Sequence, residues 1–215
     1  MAKTSLFFLL HLPADRLRYA PAVAKNILPL LLAVLLPGCA WTVRAPSNVA
    51  DPVPVWITEY GRHCRVALPS GPSKFTEYGF GEWHFYALED RGILSTLRAA
   101  TGFGSGAFSR RELPPAPNGT IGPRQTGGTR SESVQIERSK ADALRRELDA
   151  RWQRNRGDVR IRQWDGVPVS RDPASYNLFD NSNHATAKLL RCLGCEVRGL
   201  PLMANFRVED KASHR

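Results

Sequence analysis

The segment Asp180-Asn181-Ser182-Asn183-His184 sets a hydroxyl, two amides and an imidazole just ahead of an apolar-striped run that ends at Gly194. Such a pattern marks a helix start, where the first backbone N–H groups lack intrahelical partners and the dipole presents its positive end. A serine there can attack a carbonyl if an imidazole takes its proton and a third group fixes that imidazole. Free N–H groups can then receive the developing oxyanion. Serine and asparagine are also favoured helix caps, so Ser182 reads either as a nucleophile or as a cap. Two further segments carry polar chemistry, "YGRHCRVAL" with His63 and Cys64, and "EYGFGEWHFY" with Glu77, Glu82 and His84. Strand alternation turns Cys64 away from His63 and makes it core. Cys192 and Cys195 form a C-x-x-C that closes a helix instead of opening one. No second pair completes a zinc site, so neither a metal nor any other cofactor is implied.

The elements that must position these residues follow from periodicity. Val53, Val55 and Ile57 alternate, "EYGR" makes a turn, and "HCRVALP" alternates again, which predicts a hairpin. "KFTEYGFGEWHFYAL" predicts an aromatic strand in which Gly79 and Gly81 mark a bulge or a close backbone approach. "DRGILSTLRAATGF" has helical spacing. Glycine, proline and polar residues fill 102–130, which predicts a long flexible loop, and the "GFGSG" within it lacks the lysine of a phosphate loop. "SVQIER" predicts a strand. "SKADALRRELDARWQRN" predicts a helix capped by Ser139, with Ala143, Leu144, Leu148 and Trp152 towards the core. "GDVRIRQW" predicts a last strand before a proline-containing turn. A final helix enters near Asn181, buries Ala185, Leu189, Cys192 and Leu193, and stops at Gly194. The fold class is α+β, a small antiparallel sheet with packed helices.

The chain has 215 residues, enough for one ordinary domain with appendages. Lys25 precedes an apolar run from Ile27 to Leu36, too short for a membrane-spanning helix and suited to a signal peptide. Leu36-Pro37-Gly38-Cys39 resembles the lipobox of bacterial lipoproteins, Pro37 being its less usual member. That resemblance implies cleavage before Cys39, diacylation of Cys39 and anchorage to membrane lipid. It places the protein in the cell envelope, on the outer membrane facing the periplasm. The expected organisation is a signal peptide at 1–38, a linker at 39–52, one domain at 53–200 and a tail at 201–215. The net charge is +10, with 30 basic and 20 acidic residues. The charges are scattered and lack an aromatic–basic recognition motif, which argues against nucleic acid as a partner.

The three polar segments together are similar to an uncharacterised family of exported bacterial proteins, sometimes noted near urease genes. They are similar also to permuted papain-like hydrolases, among them bacterial lipoprotein hydrolases and the lecithin-retinol acyltransferase group. The resemblance covers roughly 53–197, without the 102–130 loop. It implies a permuted papain-like fold in which a histidine opens an early strand, a polar residue on the next strand orients it, and a cysteine begins a C-terminal helix. On this chain those positions are His63, Glu77 (with Glu82 and His84 as rivals) and Ser182. Relatives carry Asn-Cys-Asn where this chain has Asn181-Ser182-Asn183, so oxygen replaces sulfur at the attacking atom. The implied activity is hydrolysis or acyl transfer at an amide or ester, with a cell-wall or lipid substrate. The alternative is a non-catalytic binding or scaffolding lipoprotein.

Overall fold

The computed structural model describes residues 40–90, 92, 104–116, 118–177 and 180–209. The expected signal segment, Cys39 with its expected lipidation and most of the helix expected within 90–103 lie outside the described residues.

The described chain is α+β. Strands β1 (Trp41–Arg44), β2 (Pro52–Glu59), β3 (Cys64–Gly71) and β4 (Lys74–Glu82) lead into one π-helical turn, Trp83–Ala87. After it come β5 (Gly104–Glu112), the short helix α1 (Pro123–Thr126) and β6 (Arg130–Glu137), which runs directly into α2 (Arg138–Arg154). The remainder is β7 (Val159–Ile161), β8 (Pro168–Tyr176), α3 (Ser182–Cys192), β9 (Glu196–Gly199) and β10 (Phe206–Glu209). Seven strands form one antiparallel sheet in the order β6-β2-β3-β4-β5-β8-β7, larger than the small sheet expected.

Helices α2 and α3 cover one face of this sheet. Alternation sends Val53, Val55 and Ile57 of β2 and Cys64, Val66 and Leu68 of β3 into the core they share with Leu144, Leu148 and Leu190. The same alternation turns Trp56 and Ala67 to the opposite face. There they pack with Phe75, Leu113, Ala116 and Ile121. Pro54 is tolerated inside β2 because β3 pairs with that strand only from Trp56 onward, leaving one side of Pro54 without a ladder partner.

Several expectations require correction. The loop expected over 102–130 contains β5, paired to β4 and β8, and its later residues Leu113, Ala116 and Ile121 are buried. Glycine in β5 reflects crowding: a Cβ at Gly106 would lie 2.5 Å from the Ala174 carbonyl oxygen. The segment expected to be a turn after Trp164 continues into β8, whose Pro173 falls where the register with β5 shifts, the place a sheet accepts proline. The expected linker and tail each supply a strand. β1 pairs in parallel with β10 and antiparallel with β9, and the Trp41 ring packs on Phe206 at 5.5 Å between centroids. Helix α2 begins at Arg138, so Ser139 lies inside it. Its first apolar position is Ala141, while Ala143 faces solvent.

Candidate functional site

Asn181, in extended conformation, caps α3. Its Oδ1 accepts from the backbone N–H groups of Asn183 (2.9 Å) and His184 (3.1 Å), and it lies 3.1 Å from Nδ1 of His184. Gly194, at φ 91°, ends the helix in the left-handed region, as expected. The buried stripe is Ser182, Asn183, Thr186, Ala187 and Leu190; the expected Leu193 is buried as well, whereas the expected Ala185, Leu189 and Cys192 lie one position out of phase. Its polar members account for the offset, because Asn183 and Thr186 are buried by bonding to β3. Asn183 Nδ2 donates to the Arg62 carbonyl (3.1 Å), its Oδ1 accepts from Cys64 N–H (2.9 Å), and Thr186 Oγ1 donates to the Cys64 carbonyl (3.1 Å). One asparagine thereby clamps the backbone on both sides of His63.

Ser182 is 5% exposed and faces the phenol of Tyr176. Burial raises the Tyr176 pKa, and contacts from the backbone and hydroxyl of Ser182 oppose that rise. Cys64 is fully buried, and burial pushes its thiol well above the ordinary range, so it is inert packing as expected. Cys195 is also buried, its thiol pushed up to about 11 by burial. Cys192 is exposed, and neither is in a disulfide.

His63 stands on the other face of the sheet end. Its ring stacks on Tyr60 (5.4 Å, 14°) and meets the edge of Tyr86 (5.5 Å, 90°). Its Nε2 is buried without a hydrogen-bond partner, so no bond joins it to Ser182. Burial first, then the charges of Arg65 and Arg162, hold the His63 pKa well below its usual value, and the ring is neutral. Glu77 does not bond this imidazole. Its carboxylate accepts from the Tyr60 hydroxyl (2.5 Å), Arg65 Nη1 (3.1 Å) and Arg111 Nε (2.8 Å). Tyr60, which donates to Glu77, stacks on the His63 ring, and Arg65, also bonded to Glu77, acts on that ring through its charge. Of the rival residues, Glu82 Oε2 caps the π-helical turn at Phe85 N–H (2.7 Å), and His84 lies in that turn.

The structure adds residues that the sequence reading passed over. Asp165 Oδ2 accepts from Arg65 Nη2 (3.1 Å) and Arg162 Nη2 (2.8 Å). The Arg162 guanidinium sits 4.1 Å from the ring centres of both Tyr86 and Trp164. Tyr86 can lie there because β4 has no side chain beneath it: a Cβ at Gly81 would be 2.4 Å from the Tyr86 ring. The close approach expected at Gly79 and Gly81 is therefore present. Tyr60, His63, Phe85, Tyr86, Arg162 and Trp164 line a cavity of about 540 Å³. A signal was available in "CRVAL", where Arg65 shares the His63 face of an otherwise apolar strand.

Among the described residues no cluster of histidine, cysteine and carboxylate could hold a metal ion, and no helix is long and apolar enough to cross a membrane. Comparison of the chain with family models, curated proteins and solved structures gives no match in any of the three. The site combines an imidazole with one buried, unpartnered nitrogen, a set of buried guanidinium groups and aromatic walls.

Proposed function

We propose that the protein is an envelope-anchored lipoprotein whose permuted papain-like domain binds a ligand without cleaving it. The α+β layout supports the relationship, as does the docking of α3 against the residues that flank the strand-opening histidine. One observation carries the non-catalytic reading: the start of α3 is already satisfied. The N–H groups of Asn183 and His184 bond Asn181 Oδ1, and the backbone and hydroxyl of Ser182 face Tyr176. An acyl-transfer site needs the opposite, N–H groups open to an oxyanion and a hydroxyl aligned on the base. Here Nε2 of the imidazole bonds nothing, and the carboxylate expected to orient the ring is held by two arginines. Ser182 is the first residue of α3, behind the Asn181 cap that the sequence also allowed Ser182 to be, and it lacks the sulfur that forms a thiolate near neutrality.

The test has two arms. A fluorophosphonate probe leaves Ser182 unlabelled under conditions that modify a working serine hydrolase, and labelling at Ser182 refutes the binding-only reading. Palmitate label enters the wild-type chain in cells and is lost in Cys39→Ala. Label retained in that variant refutes the anchor.

A further inference from the structure

We infer that the His63 cavity is an oxyanion site that takes a small aromatic carboxylate, its charge set against Arg162 and its body against the ring walls. The inference deepens the binding reading above and rests on it.

The first support is the charge balance around the cavity. Arg65 and Arg162 have fully buried side chains and Arg111 is 17% exposed, whereas only Glu77 and Asp165 answer them within this network. Three fixed cations thus face two carboxylates. Both charges that act on the His63 ring are cationic. At the cavity lining Arg62 and Glu89 carry opposite signs and cancel. Of the other buried acids at this sheet end, Asp172 pairs with Arg151, and Glu82 accepts from Phe85 N–H through Oε2 while its Oε1 has no partner.

The second support is the unused hydrogen-bonding capacity of Arg162. Asp165 takes its Nη2, while Nε and Nη1 are buried and have no partner. Arg162 is 1% exposed and lines the cavity. Buried donors on a charged group are ordinarily bonded, and an exception beside a cavity points to an acceptor supplied from outside. His63 lines the same cavity with Nε2 buried and unpartnered, and that nitrogen can accept from or donate to a ligand group according to which ring nitrogen carries the proton. Tyr60, Phe85, Tyr86 and Trp164 give the cavity four aromatic walls, and two of those rings already lie against Arg162. A flat, weakly hydrated body fits such walls better than a phosphate ion alone.

The experiment is calorimetric titration of the full chain in non-ionic detergent at neutral pH with naphthoate and with its neutral counterpart naphthylmethanol. Naphthoate is expected to bind at least about tenfold more tightly than the alcohol, the scale of one charge-assisted contact. Arg162→Gln is expected to abolish that preference. Because a buried arginine can be needed for folding, two further readouts keep the test decisive. Trp164→Ala, at a half-exposed side chain, weakens both probes and leaves their ratio unchanged. In the unmodified protein, naphthoate raises the His63 titration midpoint followed by imidazole nitrogen chemical shift, and naphthylmethanol does not. Equal affinity for the two probes, no binding of either, or a preference that survives in folded Arg162→Gln overturns the inference. Fluorophosphonate labelling of Ser182 would overturn the binding-only reading whether or not naphthoate binds.

Discussion

The two faces of the seven-stranded sheet meet at the end of β3 and have been built by different rules. On the helix face the polar groups near Ser182 are spent: Asn181, Asn183 and Thr186 bond backbone on α3 and β3, and the surroundings are apolar core. On the cavity face, where His63 and Arg65 flank Cys64 in the chain, charged and polar groups are buried with bonds left over. Of the seven buried side-chain atoms without a partner among the described residues, four belong to His63, Arg65 and Arg162. Satisfied polar groups specify one packing, and unsatisfied ones mark the place where something else completes the set. The face that carries Ser182 is thus structural, and the cavity face holds the unsatisfied groups on which the binding proposal rests.

The sharpest way to break that contrast is Glu77→Ala. It removes the carboxylate that Arg65 and Arg111 share, leaving Arg65 only Asp165, Arg111 no carboxylate, and the Tyr60 hydroxyl its bonds to Thr126 and Arg111. The expected loss is about 3–5 kcal/mol of stability, read by thermal or urea unfolding, because an unpaired buried charge costs far more than a lost surface bridge. A loss below about 1 kcal/mol would mean that the network is better solvated than its burial indicates.

Acid sharpens the contrast less strongly. His63 is neutral in the fold, and its pKa is depressed by burial and by Arg65 and Arg162, so the unfolded chain binds its proton first as pH falls. The stability this ring contributes is complete above its unfolded pKa of about 6.5 and declines as pH drops from there towards the depressed folded value. The slope attributable to His63 is at most about 1.4 kcal/mol per pH unit. His63→Gln removes that component between pH 6.5 and 5, and an unchanged slope would contradict a buried neutral ring.

The parts of this layout that were legible in the sequence were those with local causes. Alternation marks β2 and β3 because each strand has one face under the helices. Asn181 and Gly194 announce the ends of α3 because cap chemistry is local. Strands β1 and β10 were hidden because four residues carry too little pattern, and their pairing joins positions far apart in the chain. Strand β5 was hidden by the glycines that let Glu82 and Ala174 come close. At the site, His63 and Ser182 stood out as residue types. The arginine network did not, because its members come from β3, β5 and the turn before β8, and only folding brings them together. Glu77 illustrates the limit: a carboxylate near a histidine in sequence pattern is bonded instead to Tyr60, Arg65 and Arg111.

The smallest expected effect bears most directly on the central claim. If binding belongs to the cavity face and Ser182 only completes the helix start, then Ser182→Ala in the full chain binds naphthoate within about twofold of the wild type, well under the tenfold that one charge-assisted contact is worth. A tenfold loss of affinity in that variant, or ester or amide turnover by the wild type that disappears with the hydroxyl, would contradict the account and return Ser182 to the role of nucleophile.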